Sequence, residues 1–164
     1  MIQIELKPTR RAKKQFDFVD FEVLEQCANI LVNNFHKVEA SKKLALKFDI
    51  STYPSKEEPW NHYKWKQNVI CFHSYDSYKP EYRFRRFMDS FIHEFRHWAQ
   101  DKLLKVSFFK NYSADGKEYY KCPIEKDTRT YTKLVLNPTL KLYKNLLEVK
   151  HKTSEFSKLN IKFN

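Results

Sequence analysis

Ser90-Phe91-Ile92-His93-Glu94-Phe95-Arg96-His97-Trp98-Ala99 is the stretch from which the rest of the chain is read. It carries His-Glu-x-x-His inside a run with the period of a helix. Between Arg83 and Leu104, Phe84, Phe87, Met88, Phe91, Ile92, Phe95, Trp98, Ala99 and Leu103 fall along one wide apolar stripe. Two histidines four residues apart stand one turn apart on a helix, so both imidazoles reach a single cation. Zn²⁺ accepts nitrogen ligands at that separation in a tetrahedral site, and Glu94 then lies where it can take a proton from a metal-bound water. At about 100° per residue, His93 and His97 project from the side opposite Phe95. The helix is expected to bury one face and to line a cleft with the other. Pro80 and Glu81 suit its first turn, Lys102 and Lys105 its last.

A tetrahedral ion held by two histidines needs a further protein ligand besides water. His151 is the only histidine after the motif. Glu125 is better placed, 28 residues beyond His97 (125 − 97), in the first turn of a helix opened by Pro123. On that helix Ile124, Tyr131 and Val135 form the apolar stripe, and Glu125, Arg129 and Thr132 face away from it. A helix beside the central one could aim the Glu125 carboxylate at the metal. Asp127 lies nearer the packed side, where it either orients a ligand from behind or simply favours the helix dipole. Tyr119, Tyr120, Tyr131 and Arg129 are all candidates to stabilise an oxyanion, with no choice among them. His73, in a strand, reads either as a structural histidine or as a cleft residue.

His93-Glu94-Phe95-Arg96-His97 followed by Pro123-x-Glu125-x-Asp127 resembles the small gluzincin-type metallopeptidases of phages, the ImmA/IrrE-type domains and the wider SprT-like group. The resemblance spans roughly residues 40 to 136. It implies a minimal zincin fold in which the motif helix follows a small sheet and a glutamate on the next helix completes the site. Two departures stand out. The alanine usual after the acidic pair is Thr128 here, and the third histidine of SprT proteins proper has only His151 as a counterpart.

The chain has 164 residues with 41% hydrophobic and 16% aromatic content, enough for one domain with an ordinary core and too rich for a disordered chain. No apolar run approaches a membrane span, and the N-terminus has no signal-peptide pattern. A cytoplasmic protein is expected, in the host cytoplasm if the gene is viral. Cys27, Cys71 and Cys122 are scattered without a CxxC pair and read as reduced, buried thiols. Net charge is +11, a surplus that attracts polyanions or else only solubilises the surface. A single glycine with abundant Lys, Asn, Phe and Tyr matches AT-rich coding, as in many phages and viruses.

The remaining elements follow from local pattern. Met1 to Leu6 alternates like a short strand, and Lys7 to Lys14 reads as a basic solvated arm. Asp20 is a candidate N-cap for a helix carrying Phe21, Leu24, Cys27, Ala28, Leu31 and Phe35, ending before Ala40. Lys43 to Ile50 is a strand, Ser51 to Gln67 a loop, and Asn68 to His73 a second strand. Asp115-Gly116 suggests a hairpin within Val106 to Cys122. The Pro123 helix is expected to stop near Asn137-Pro138, with Thr139 capping a last helix and a loose tail from Lys150.

The expected architecture is thus α+β: a small mixed or antiparallel sheet packed with an N-terminal helix, the motif helix and a third-ligand helix. Residues 1–150 form one domain and residues 151–164 a basic tail. The expected activity is zinc-dependent peptide-bond hydrolysis with His93, His97 and Glu125 as ligands and Glu94 as general base. The alternative is a basic nucleic-acid-associated protein whose zinc site is structural or vestigial. Expected partners are a protein or peptide substrate and, through the basic surface, nucleic acid, with no membrane.

Overall fold

The computed structural model describes residues 1–35, 42–50, 61–75, 77–105 and 120–160. The order of elements is β1 (Ile2–Pro8), α1 (Arg10–Gln15), α2 (Phe21–Phe35), β2 (Lys42–Ile50), β3 (His62–Lys64), β4 (Val69–Phe72), α3 (Pro80–Lys102) and α4 (Pro123–Asn160). The sheet order is β1-β2-β4-β3, with β1/β2 and β2/β4 parallel and β3/β4 antiparallel. The α+β class and the mixed sheet agree with the expectation from sequence.

Burying alternate residues sets the register of the sheet. Ile2, Ile4 and Leu6 of β1 and Leu46 and Phe48 of β2 are buried, and Ile4 pairs with Leu44, Leu6 with Leu46. Against this face lies the apolar stripe of α3. Phe48 stacks on Phe72 (centroids 5.5 Å apart), Phe72 meets Phe87 (5.1 Å), and Phe91, Phe95 and Trp98 continue the row along the helix. Because these rings recur at i, i+4 and i+3, α3 is held in one rotation about its axis. That rotation fixes where His93 and His97 point.

The free edge of β1 is closed by side chains of α2. Asn29 Oδ1 accepts the Ile4 N–H (2.7 Å) while its amide donates to Ile4 O (3.0 Å). Asn33 does the same for Ile2 (2.9 and 2.7 Å), and Glu25 accepts the Leu6 N–H (2.8 Å). Residues 25, 29 and 33 stand on one helix face and β1 residues 2, 4 and 6 on one strand edge, so a helix serves as the missing strand. Asn29→Ala is expected to cost about 1–3 kcal/mol, since it leaves both Ile4 backbone groups unpaired. Urea unfolding of the variant measures this directly.

Four local readings are corrected. Lys7 to Lys14 is no arm: β1 runs to Pro8, and Thr9 caps α1 by accepting the Ala12 N–H (3.2 Å). Within the stretch read as a loop, His62–Lys64 pairs with β4, and the hairpin turns through Asn68 at φ 53°, a left-handed conformation asparagine tolerates. The helix from Pro123 does not stop at Pro138 but continues to Asn160. Tyr131 and Val135 before the proline, and Thr139 and Tyr143 after it, are all buried, and that shared packing outweighs the lost backbone bond. Thr139 therefore caps nothing; its hydroxyl donates to Val135 O within the helix (2.7 Å). Lys150 itself lies within α4, and its ammonium binds Asp20 and Glu22 at 2.7 Å each. The Asp115-Gly116 hairpin lies outside the described residues.

Asp20 caps α2 as expected, accepting the Glu22 and Val23 N–H groups at 3.1 Å. Cys27, Cys71 and Cys122 are free and buried. Among the described residues, no helix is long and apolar enough to cross a membrane.

Candidate metal centre

The aromatic row that seats α3 leaves His93 and His97 facing α4, the element packed most extensively against it. Their Nε2 atoms are 3.2 Å apart. The carboxylate of Glu125 meets both, with Oε1 3.0 Å from His97 Nε2 and Oε2 3.4 Å from His93 Nε2. One ligand atom from each of the three residues lies within 4.8 Å of the others, a group that could hold a metal ion. The spacing has a simple measure. Two donors each about 2.1 Å from one tetrahedral ion stand about 3.4 Å apart. Two imidazole nitrogens and a carboxylate at these distances suit one divalent cation.

Helical spacing explains how they meet. His93 and His97 are one turn apart on α3, and Glu125 is in the first turn of α4, just past Pro123. Sequence reading joined these three residues correctly. It erred on their surroundings. The face of α4 carrying Glu125 was expected to turn from the packed side, yet Glu125 and Thr128 are 0% exposed and Thr132 is buried too. The opposite side of α3 was expected to line a cleft, yet Glu94, His97 and Gln100 are buried. Both polar strips face each other across the α3–α4 contact. Of the three candidate ligands, only His93 retains appreciable exposure, at 22% of its side chain, so solvent reaches the group from its side. The apolar groove of about 380 Å³ lined by Phe18, Phe84, Leu140 and Tyr143 contains none of these residues.

Glu94 is 5% exposed and close enough to feel all three charges. Burial pushes its carboxyl up, against the pull of His97 and His93 and a backbone N–H from Tyr63 on β3; Glu125 adds to the rise. For Glu125 burial also raises, but hydrogen bonds from His93 and His97 outweigh it and hold the carboxyl well below its ordinary value. For His97, burial favours the neutral ring, yet Glu125 and Glu94 hold its pKa above the usual imidazole value.

These directions give the metal-free protein a signed pH dependence. Glu125, depressed in the fold, contributes stability above its ordinary value of 4.5, lost as pH falls. His97, raised in the fold, contributes stability fully present below 6.5 and lost as pH rises through its folded pKa. The pair therefore favours the metal-free fold most in the mildly acidic window between. Metal ligation needs both rings neutral at Nε2 and so strengthens in the opposite direction, releasing protons. Thermal melts from pH 5 to 8, with and without added metal, are expected to diverge as pH rises.

The other candidates are placed elsewhere. His73 follows β4, with its N–H donated to Asn61 Oδ1 (2.8 Å), and is not in the metal group. His151 is exposed on α4, also outside it. Arg129 lies over the Tyr120 ring (5.1 Å), and Tyr131 is buried beneath Arg96 (4.7 Å). Tyr119 lies outside the described residues. Asp127 binds Arg96 and Gln100. Gln100 and Thr128, which both touch His97, were not singled out as site residues. Each stands three residues after a site residue (97 + 3, 125 + 3), so helical spacing carried the signal.

Comparison with known protein families, with curated proteins and with solved structures found no match to this chain.

Proposed function

We propose that this protein is a zinc-dependent peptidase of the small gluzincin type. The observation that carries the reading is the convergence of His93 Nε2, His97 Nε2 and the Glu125 carboxylate on one point, with the buried Glu94 beside them. Two neutral nitrogens with one carboxylate suit borderline-soft Zn²⁺ better than hard, oxygen-seeking cations. Such an ion supplies Lewis acidity to a scissile carbonyl and makes water acidic enough to attack at neutral pH. Glu94 takes the proton from the attacking water and returns it to the leaving amine. The Tyr63 N–H of the edge strand favours the ionised form of this carboxylate.

The test is metal content followed by hydrolysis. Protein purified without added zinc is expected to contain close to one equivalent by elemental analysis, and to cleave an unfolded protein substrate in a manner abolished by chelation and restored by zinc. Metal-free protein with full activity would remove the reading.

A second reading, a basic nucleic-acid-associated protein with a structural zinc site, draws on the +11 charge and on Lys126, Lys133, Lys141, Lys144 and Lys152 along the exposed side of α4. A fourth protein ligand in place of water would support it, as would duplex affinity falling steeply with salt.

A further inference from the structure

We propose that Gln100 is a positioning residue that presents His97 Nε2 to the metal, and that the Arg96–Asp127 ion pair at the rim sets the metal affinity by holding the Gln100 amide in one orientation. This rests on His93, His97 and Glu125 being ligands.

The amide can be oriented from its neighbours alone. One end of Gln100 faces Asp127 Oδ2 at 2.7 Å and Ile124 O at 3.2 Å. Both are acceptors without a proton, so that end must be the NH₂. A flipped amide would set its oxygen against two oxygens in a site only 2% exposed. The carbonyl oxygen Oε1 therefore faces His97 Nδ1, 3.0 Å away. Facing an acceptor, Nδ1 carries the ring proton, and the neutral ring keeps its lone pair at Nε2, the atom in the metal group. The Thr128 hydroxyl, 3.4 Å from Oε1 and 3.3 Å from Nδ1, closes the remaining side.

Asp127 is itself fixed. Arg96 grips it through Nε (2.8 Å) and Nη2 (3.1 Å), and the guanidinium rests on the Tyr131 ring. The chain of contacts runs Tyr131, Arg96, Asp127, Gln100, His97 and crosses between α3 and α4 three times. It couples a half-exposed carboxylate, 45% accessible, to a buried imidazole through the Gln100 amide. Fixing the second nitrogen of a metal-bound histidine in this way changes affinity by about 10–100-fold.

The test separates positioning from mere bracing of the two helices. Zinc affinity of the full chain is measured by chelator competition, and stability by thermal melting. Gln100→Met keeps the length of the side chain but removes the acceptor; Gln100→Glu keeps an acceptor toward His97. Both lose the donated bonds to Ile124 and Asp127, so both are expected to melt lower than wild type. Only Gln100→Met is expected to lose affinity, by about 10–100-fold, and with it the sharp His97 Nδ1–H proton resonance of the zinc-loaded protein; the Glu carboxylate presents an oxygen to His97 in either orientation, so it needs no holding by Asp127. Should a Gln100 variant fail to fold, Asp127→Ala at the rim serves instead, with an expected loss of about tenfold or more. Equal loss in the Met and Glu variants, or unchanged affinity in Met and in Asp127→Ala, overturns the positioning role and leaves the metal reading standing. A wild type that takes up no zinc overturns both.

Discussion

Glu94→Gln is expected to bind zinc as the wild type does and to lose at least about a hundredfold in turnover, the lower end of what a positioned general base contributes. The expectation follows from shape and charge together. Glutamine fills the same buried space, and its amide oxygen can still accept the Tyr63 N–H, so the fold has no reason to yield. What is lost is the ability to take a proton from water. Replacing a buried carboxylate by a neutral amide relieves its desolvation, the largest cause of its raised pKa, so stability is expected to hold or rise slightly. Turnover is measured on a peptide substrate alongside zinc content. A variant as active as wild type would eliminate Glu94 as the base.

Glu125→Gln is expected to weaken zinc binding by more than a hundredfold, beyond the range typical of changes behind the ligands. The side chain is 0% exposed, and its carboxylate is the only negative ligand of the three. An amide of equal size keeps the packing but offers a weaker, neutral oxygen. It also removes the partner that raises the His97 pKa, so the acidic stability window of the metal-free protein should shrink. His151→Ala, on the exposed side of α4, is the contrasting control, with zinc affinity unchanged. Zinc lost in the histidine variant and kept in the glutamine variant would mean that the third ligand was misassigned.

Where the chain was readable, strong periodicity made it so. The stripe of α3 and the cap of α2 at Asp20 came through at residue precision, and β2 to within a residue, because each leaves a repeat or cap pattern in adjacent residues. Strand β3 was missed because three residues among prolines and aromatics carry no alternation of their own; β4 recruits them. The helix through Pro138 was missed for a related reason. A proline argues locally for a break, and only the buried residues on both sides of it decide otherwise.

The two histidines one turn apart, with a glutamate between them, were settled by residue order, since a helix places i and i+4 together whatever surrounds it. That the polar faces of α3 and α4 would turn inward against each other was not. Burial of Glu125, Thr128 and Gln100 depends on two helices packing at one rotation, which the aromatic row on the sheet imposes from the far side. Local pattern marks which groups can act, and long-range packing determines how far each is removed from water. The directions in which Glu94, His97 and Glu125 titrate follow from that removal and from the charges it brings together.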